Sequence, residues 1–190
     1  MTFHPPTRQR AFTLIETTIV IAFSISMMAA LGLLIYDFDK ISTYDRTSAQ
    51  SSGSANAAIR EIELFAFPAN AVLQTHTFSS ATYTSTSTSL VLEIPSVDSS
   101  GNIISGTHDY AAFYVVGTTT MYRLLEANAA SKRVSGTKRL SSSINTLTFT
   151  YNDSNFTNVH TVTVDLQTQA RAKQEILNDH RREQIRLRNF

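Results

Sequence analysis

The sequence predicts an α+β fold in which one long N-terminal helix packs on a mostly antiparallel β-sheet head. Three observations predict it. Phe12 to Ile35 is a run of 24 residues with a single charge, Glu16. The helical pattern continues beyond it but turns amphipathic as far as Phe65. From Ala71 onward, apolar residues recur with period two, the signature of half-buried strands. Composition agrees. Ser and Thr fill 47 of 190 positions and only 16% of residues are charged, against about 25% in ordinary soluble domains. The formal charge is +1, which argues against a nucleic-acid binder driven by net charge. With no cysteine there is no disulfide framework, thiolate metal site or thiol nucleophile.

The first element is a basic leader, residues 1–11, with Arg8 and Arg10 and no acid. The second is the apolar run, residues 12–36. As a helix it reaches about 36 Å, enough to cross a bilayer core of about 30 Å with some tilt. Arg8 and Arg10 before it, and no basic residue close after it, place the N-terminus in the cytoplasm. A cleaved secretory signal fits poorly. Such signals have an apolar region of about 7–15 residues, whereas here the candidate sites Ala29 and Ala30 lie inside apolar sequence. A plain signal anchor fits the hydropathy but leaves Glu16 unexplained. A carboxylate costs on the order of 2.5–3.5 kcal/mol at the centre of a membrane helix, less near an end, and usually marks a functional partner.

The run Arg10-Ala11-Phe12-Thr13-Leu14-Ile15-Glu16 resembles the prepilin signature of type IV filament proteins. The resemblance implies cleavage between Ala11 and Phe12 by an inner-membrane prepilin peptidase, followed by N-methylation of Phe12. It implies that Glu16, fifth in the mature chain, pairs with the N-terminal amine of a neighbouring subunit during assembly. The chain departs from the family at Ala11, where Gly is usual.

The third element, residues 37–66, opens with Asp37, Asp39, Lys40, Asp45 and Arg46. It then places Ala55, Ala58, Ile59, Ile62, Leu64 and Phe65 near the pattern of one helical face. Read as continuous with the run before it, the helix is about 80 Å long. Gly53 and the serines around it leave open two helices hinged near Ser51–Gly53, and Pro68 is the stop.

The head, residues 67–190, is expected to be β-rich and extracytoplasmic. Val72–Phe78 reads as a weak strand and 79–89 as an exposed loop or edge strand. Leu90–Ile94 reads as a strand stopped by Pro95, and Asp98–Asn102 as a turn. Tyr110–Val116 and Thr118–Leu125 read as a hairpin about Gly117, Glu126–Thr137 as a polar loop, and Ile144–Tyr151 and Val159–Thr168 as further strands. Residues 171–190 carry six Lys or Arg against three acids and alone read as a basic helix. Ile185-Arg186-Leu187-Arg188-Asn189, however, resembles the terminal strand of minor pilins and J-type pseudopilins. Ser89–Leu92, Tyr110–Tyr114, Met121–Arg123 and Leu147–Tyr151 resemble the same subgroup. The resemblance implies a terminal hairpin of Thr161–Thr168 with Arg182–Arg188, and Arg171–His180 as its long loop.

Chemistry is sparse. The five histidines are scattered without metal-ligand spacing, His108 reads as a loop residue beside Asp109, and no nucleophile elbow or phosphate loop occurs. Asp98 and Asn102 read as an Asx turn before a calcium site. Arg181, Arg182, Arg186 and Arg188 read as solvated strand residues before a DNA contact. No catalytic residue, metal ligand or cofactor is expected. The expectation is a non-enzymatic minor pilin or pseudopilin of a type IV filament or type II secretion machine. It would be a single-pass inner-membrane protein whose partners are the prepilin peptidase, sibling subunits and the inner-membrane assembly platform. The rivals are a signal-anchored extracytoplasmic enzyme or binding domain that never polymerises, and a DNA-uptake pilin.

Overall fold

A computed structural model describes residues 13–173 and 175–188. The chain is α+β: one long helix, α1 (Leu14–Ala66), packed on mostly antiparallel sheet. By its contacts the chain divides at Tyr44 into an N-terminal unit and a unit that begins at Asp45.

Among the described residues the N-terminal unit is the first part of α1 with Thr13 before it, and residues 13–42 are exposed. In the second unit α1 buries Ser51, Ala55, Ala58, Ile59, Ile62, Phe65 and Ala66. These recur at three- and four-residue steps, so one stripe faces the sheet. The helix runs unbroken through Gly53, so the hinge alternative is not adopted. Small residues make this stretch a close-packing face. The Ser51 hydroxyl meets that of Thr168 at 2.9 Å, and that of Ser54 meets Ser141 at 2.7 Å. The helix ends at Ala66, two residues before Pro68, as a missing N–H donor requires.

The strands are β1 (Ala71–Val72), β2 (Thr75–Thr77), β3 (Thr82–Thr84), β4 (Ser89–Val97), β5 (Ile103–Val116), β6 (Thr120–Glu126), β7 (Gly136–Ser141), β8 (Ile144–Tyr151), β9 (Thr161–Ala172) and β10 (Glu175–Arg186). They form a five-stranded sheet ordered β1-β4-β5-β6-β7, a three-stranded sheet ordered β10-β9-β8, and the small hairpin β2-β3. The main core lies between α1 and the inner faces. Leu90, Leu92 and Ile94 of β4, Phe113 of β5, Met121 of β6 and Val162, Val164 and Leu166 of β9 meet Ile62 and Phe65 there. A second, smaller core lies on the outer face of the five-stranded sheet. There Phe78 and Tyr83 cover Val91, Ala112 and Leu124.

Several expectations need correction. Pro95 does not stop β4: the strand continues to Val97, with a register shift against β5 between the two, since a bulge accommodates the missing N–H. The expected strand Val72–Phe78 is split into β1 and β2. The loop expected at Glu126–Thr137 ends in β7, an edge strand whose polar sequence, Gly-Thr-Lys-Arg-Leu-Ser, hides any alternation. His108 lies in β5, not in a loop. The terminal hairpin exists, but Arg171–His180 is not its long loop: β9 and β10 pair from Thr161↔Arg186 up to Ala172↔Glu175. The turn is reached through Lys173, at φ 55°, a conformation usually announced by Gly or Asn.

Candidate functional site

The first candidate is the N-terminal segment of α1. Thr13 caps it, its hydroxyl and carbonyl accepting from the Glu16 N–H at 3.4 and 3.1 Å. Thr17 and Thr18 donate to the Leu14 carbonyl at 2.8 Å, Ser24 to Val20 at 2.8 Å, and Ser26 to Ala22 at 2.9 Å. Each of these hydroxyls is therefore satisfied inside the helix, as an apolar medium demands. Glu16 differs. Its carboxylate is exposed and has no hydrogen-bond or ion-pair partner among the described residues. Around it Leu14, Ile15, Ile19 and Val20 stand between 54% and 87% exposed. In water this uncovered surface would be strongly unfavourable. The helix is long and apolar enough to cross a bilayer. Ala11, Phe12, Arg8 and Arg10 lie outside the described residues.

The head offers structural chemistry. Asp109 of β5 is fully buried. Its Oδ1 accepts from the Ser96 hydroxyl and the Asn128 N–H, both at 2.8 Å, and its Oδ2 from Ser131 Oγ at 2.8 Å and Arg133 Nη1 at 2.7 Å. Burial pushes its carboxyl upward, but the Arg133 guanidinium and the three other donors outweigh that and hold it below the ordinary carboxylate value. The adjacent His108 points to the other face and approaches Glu93 at 3.6 Å. Asp109 thus fastens the segment after β6 to β5, a role the dipeptide His108-Asp109 did not reveal, because its partners come from four separate positions. Glu61 of α1 receives Arg123 of β6 and Lys138 of β7, while the Arg123 guanidinium lies 4.7 Å over the Phe65 ring. These contacts tie α1 to the sheet. Exposed Leu64 and Phe67, with Ala57, Arg60 and Pro68, line a shallow apolar groove on the outer side of the same helix.

Among the described residues no three His, Asp or Glu side chains are grouped to hold a metal. Asp98 forms the expected Asx turn, its Oδ1 accepting from the Ser100 and Asn102 amides at 2.8 Å. Arg181 and Arg182 alternate along β10, and Arg181 is engaged by Asp179 and by the Ser52 hydroxyl at 3.2 and 2.9 Å. Among the described residues the N-terminal unit thus offers an exposed apolar helix whose Glu16 carboxylate has no partner, while the charged groups of the second unit described above are engaged in holding its elements together. No protein-family model, curated protein or solved structure matches the chain.

Proposed function

We propose that the chain is a non-enzymatic, membrane-anchored filament subunit: a minor pilin or pseudopilin of a type IV filament or type II secretion pseudopilus. In this reading a prepilin peptidase cuts between Ala11 and Phe12, and Phe12 is N-methylated. The Phe12–Ile35 helix sits in the inner membrane with Arg8 and Arg10 on the cytoplasmic side until cleavage. An assembly platform then draws the helix into a bundle with those of sibling subunits, while the head stays outside. The observation that carries the reading is Glu16, a lone carboxylate in the first turn of an exposed apolar helix, unpartnered among the described residues. A bundle would cover the apolar surface, and a neighbour's Phe12 amine would satisfy the acid.

The test has two readouts. Intact mass of membrane-purified protein should correspond to a chain beginning at a methylated Phe12; retention of Met1 overturns the processing step. Glu16→Ala and Glu16→Gln should insert and be cleaved normally yet be depleted from sheared filaments. A buried amine left without its carboxylate costs on the order of 3–5 kcal/mol, which is roughly 150- to 5,000-fold in an assembly equilibrium. If both variants enter filaments as the wild type does, Glu16 is not the assembly contact.

A further inference from the structure

The link between β8 and β9 reads Asn152-Asp153-Ser154-Asn155-Phe156-Thr157. Two Asn-x-Ser/Thr triplets stand end to end there, Asn152-Asp153-Ser154 and Asn155-Phe156-Thr157, the acceptor pattern for N-linked glycosylation. In a chain this rich in Ser and Thr the triplet alone carries little weight. Two further observations separate the second triplet from the first. Asp153 stands two residues before Asn155, the place where one class of oligosaccharyltransferase requires an acid; the matching residue for Asn152 is Thr150. The side chains are also held differently. The Asn152 Oδ1 accepts from the His160 and Thr161 amides at 2.9 and 2.8 Å, so it closes the mouth of the β8–β9 pair. The Asn155 Oδ1 instead accepts from the N–H of its own Thr157 at 3.2 Å and from the Thr157 hydroxyl. Its Nδ2 has no partner among the described residues, and Asn155 and Thr157 are both exposed.

We propose that Asn155 is a site of N-glycosylation. Two donors on Oδ1 draw electron density from the amide and make the Nδ2 proton more acidic, while the Thr157 hydroxyl is already folded against the group to be modified. Asp153 holds the turn, accepting from the Asn155 N–H at 2.8 Å, and leaves its other oxygen for a basic pocket on the transferase. The co-substrate is a lipid-linked oligosaccharyl diphosphate. Asn155 Nδ2 attacks its anomeric carbon, the bond from that carbon to the diphosphate oxygen breaks with its electron pair, and the Nδ2 proton is lost to a base. The lipid diphosphate leaves. The site rests on the head being extracytoplasmic, where such donors are presented, and does not depend on polymerisation.

The full chain would be expressed in cells that carry such a transferase and its lipid-linked donor, then digested and analysed by mass spectrometry. The peptide holding Asn155 should gain the glycan mass, and enzymatic deglycosylation should convert that residue to Asp. Asn155→Gln and Thr157→Val should abolish the gain, Asp153→Ala should reduce it at least tenfold, and Thr157→Ser and Asn152→Gln should keep it. A second version carries the same Asp-Ser-Asn-Phe-Thr sequence appended after Phe190 as an internal reporter. A modified reporter beside an unmodified Asn155 overturns the site and leaves the topology standing. Neither modified overturns the extracytoplasmic placement, and the site with it. A glycan that survives in Asn155→Gln also overturns the assignment.

Discussion

Two carboxylates define the extremes of this molecule. Asp109 is buried and meets four donors; Glu16 is exposed on an apolar helix and meets none among the described residues. The first is a matter of stability. Asp109→Ala should cost about 3 kcal/mol, because Arg133 loses its counter-charge in a partly enclosed site and three further donors lose their acceptor. The effect depends on pH with a definite sign. The folded pKa of Asp109 lies below its ordinary value, so its contribution is complete above about pH 4 and is lost as pH falls through the lowered folded value. Urea midpoints of wild type and Asp109→Asn should therefore differ most above about pH 4 and converge as the pH falls below it. A gap that stays constant over that range would refute the linkage.

The long helix offers the test of local propensity. Gly53 is exposed, its φ is not positive, and a Cβ built there meets no atom within 4 Å. Gly53→Ala should therefore stabilise the head by about 0.5–1 kcal/mol through the entropy of the unfolded chain, read as a rise in urea midpoint without a change of slope. A loss of stability would mean that the site needs glycine for a reason other than space. The elements also show what sequence periodicity captures. The apolar run is legible from hydropathy and the stop near Pro68 from a missing N–H donor, while the stripe Ala55–Phe65 and the alternation of β8 and β9 are legible because each follows one dominant period. β10 is not, because its sequence Glu-Ile-Leu-Asn-Asp-His-Arg-Arg-Glu-Gln-Ile-Arg buries only Ile185 and its turn lacks glycine. The serines at 51–54 read as helix weakeners, yet Ser51 and Ser54 give α1 its close approach to β9 and β7. Small polar residues carry no periodic signal, and only tertiary contact distinguishes weakness from docking. At the candidate site Glu16 was legible from hydropathy alone. The Asp109 cluster was not, because its donors lie up to 37 positions apart, from Ser96 to Arg133.

For the whole molecule, the apolar surface before Tyr36 and the compact unit from Asp45 predict separable behaviour. A fragment from Asp37 to Phe190 should be soluble without detergent and predominantly β by circular dichroism, with a helical minority from residues 37–66. A mainly helical spectrum would refute the sheet assignment. The head is also closed by its most distant parts. The Arg188 N–H donates to the Phe67 carbonyl at 2.9 Å, the Leu187 N–H donates to His160 at the same distance, and the Leu187 side chain is buried. The first of these joins residues 121 positions apart, Phe67 and Arg188. At a synthesis rate of about 5–20 residues per second, roughly 6 to 24 s separate the two on the ribosome. Through that interval the stripe Ala55, Ile59 and Ile62 has emerged without its final covering. The order of birth of the chain thus leaves the apolar stripe of the helix waiting on strands not yet made.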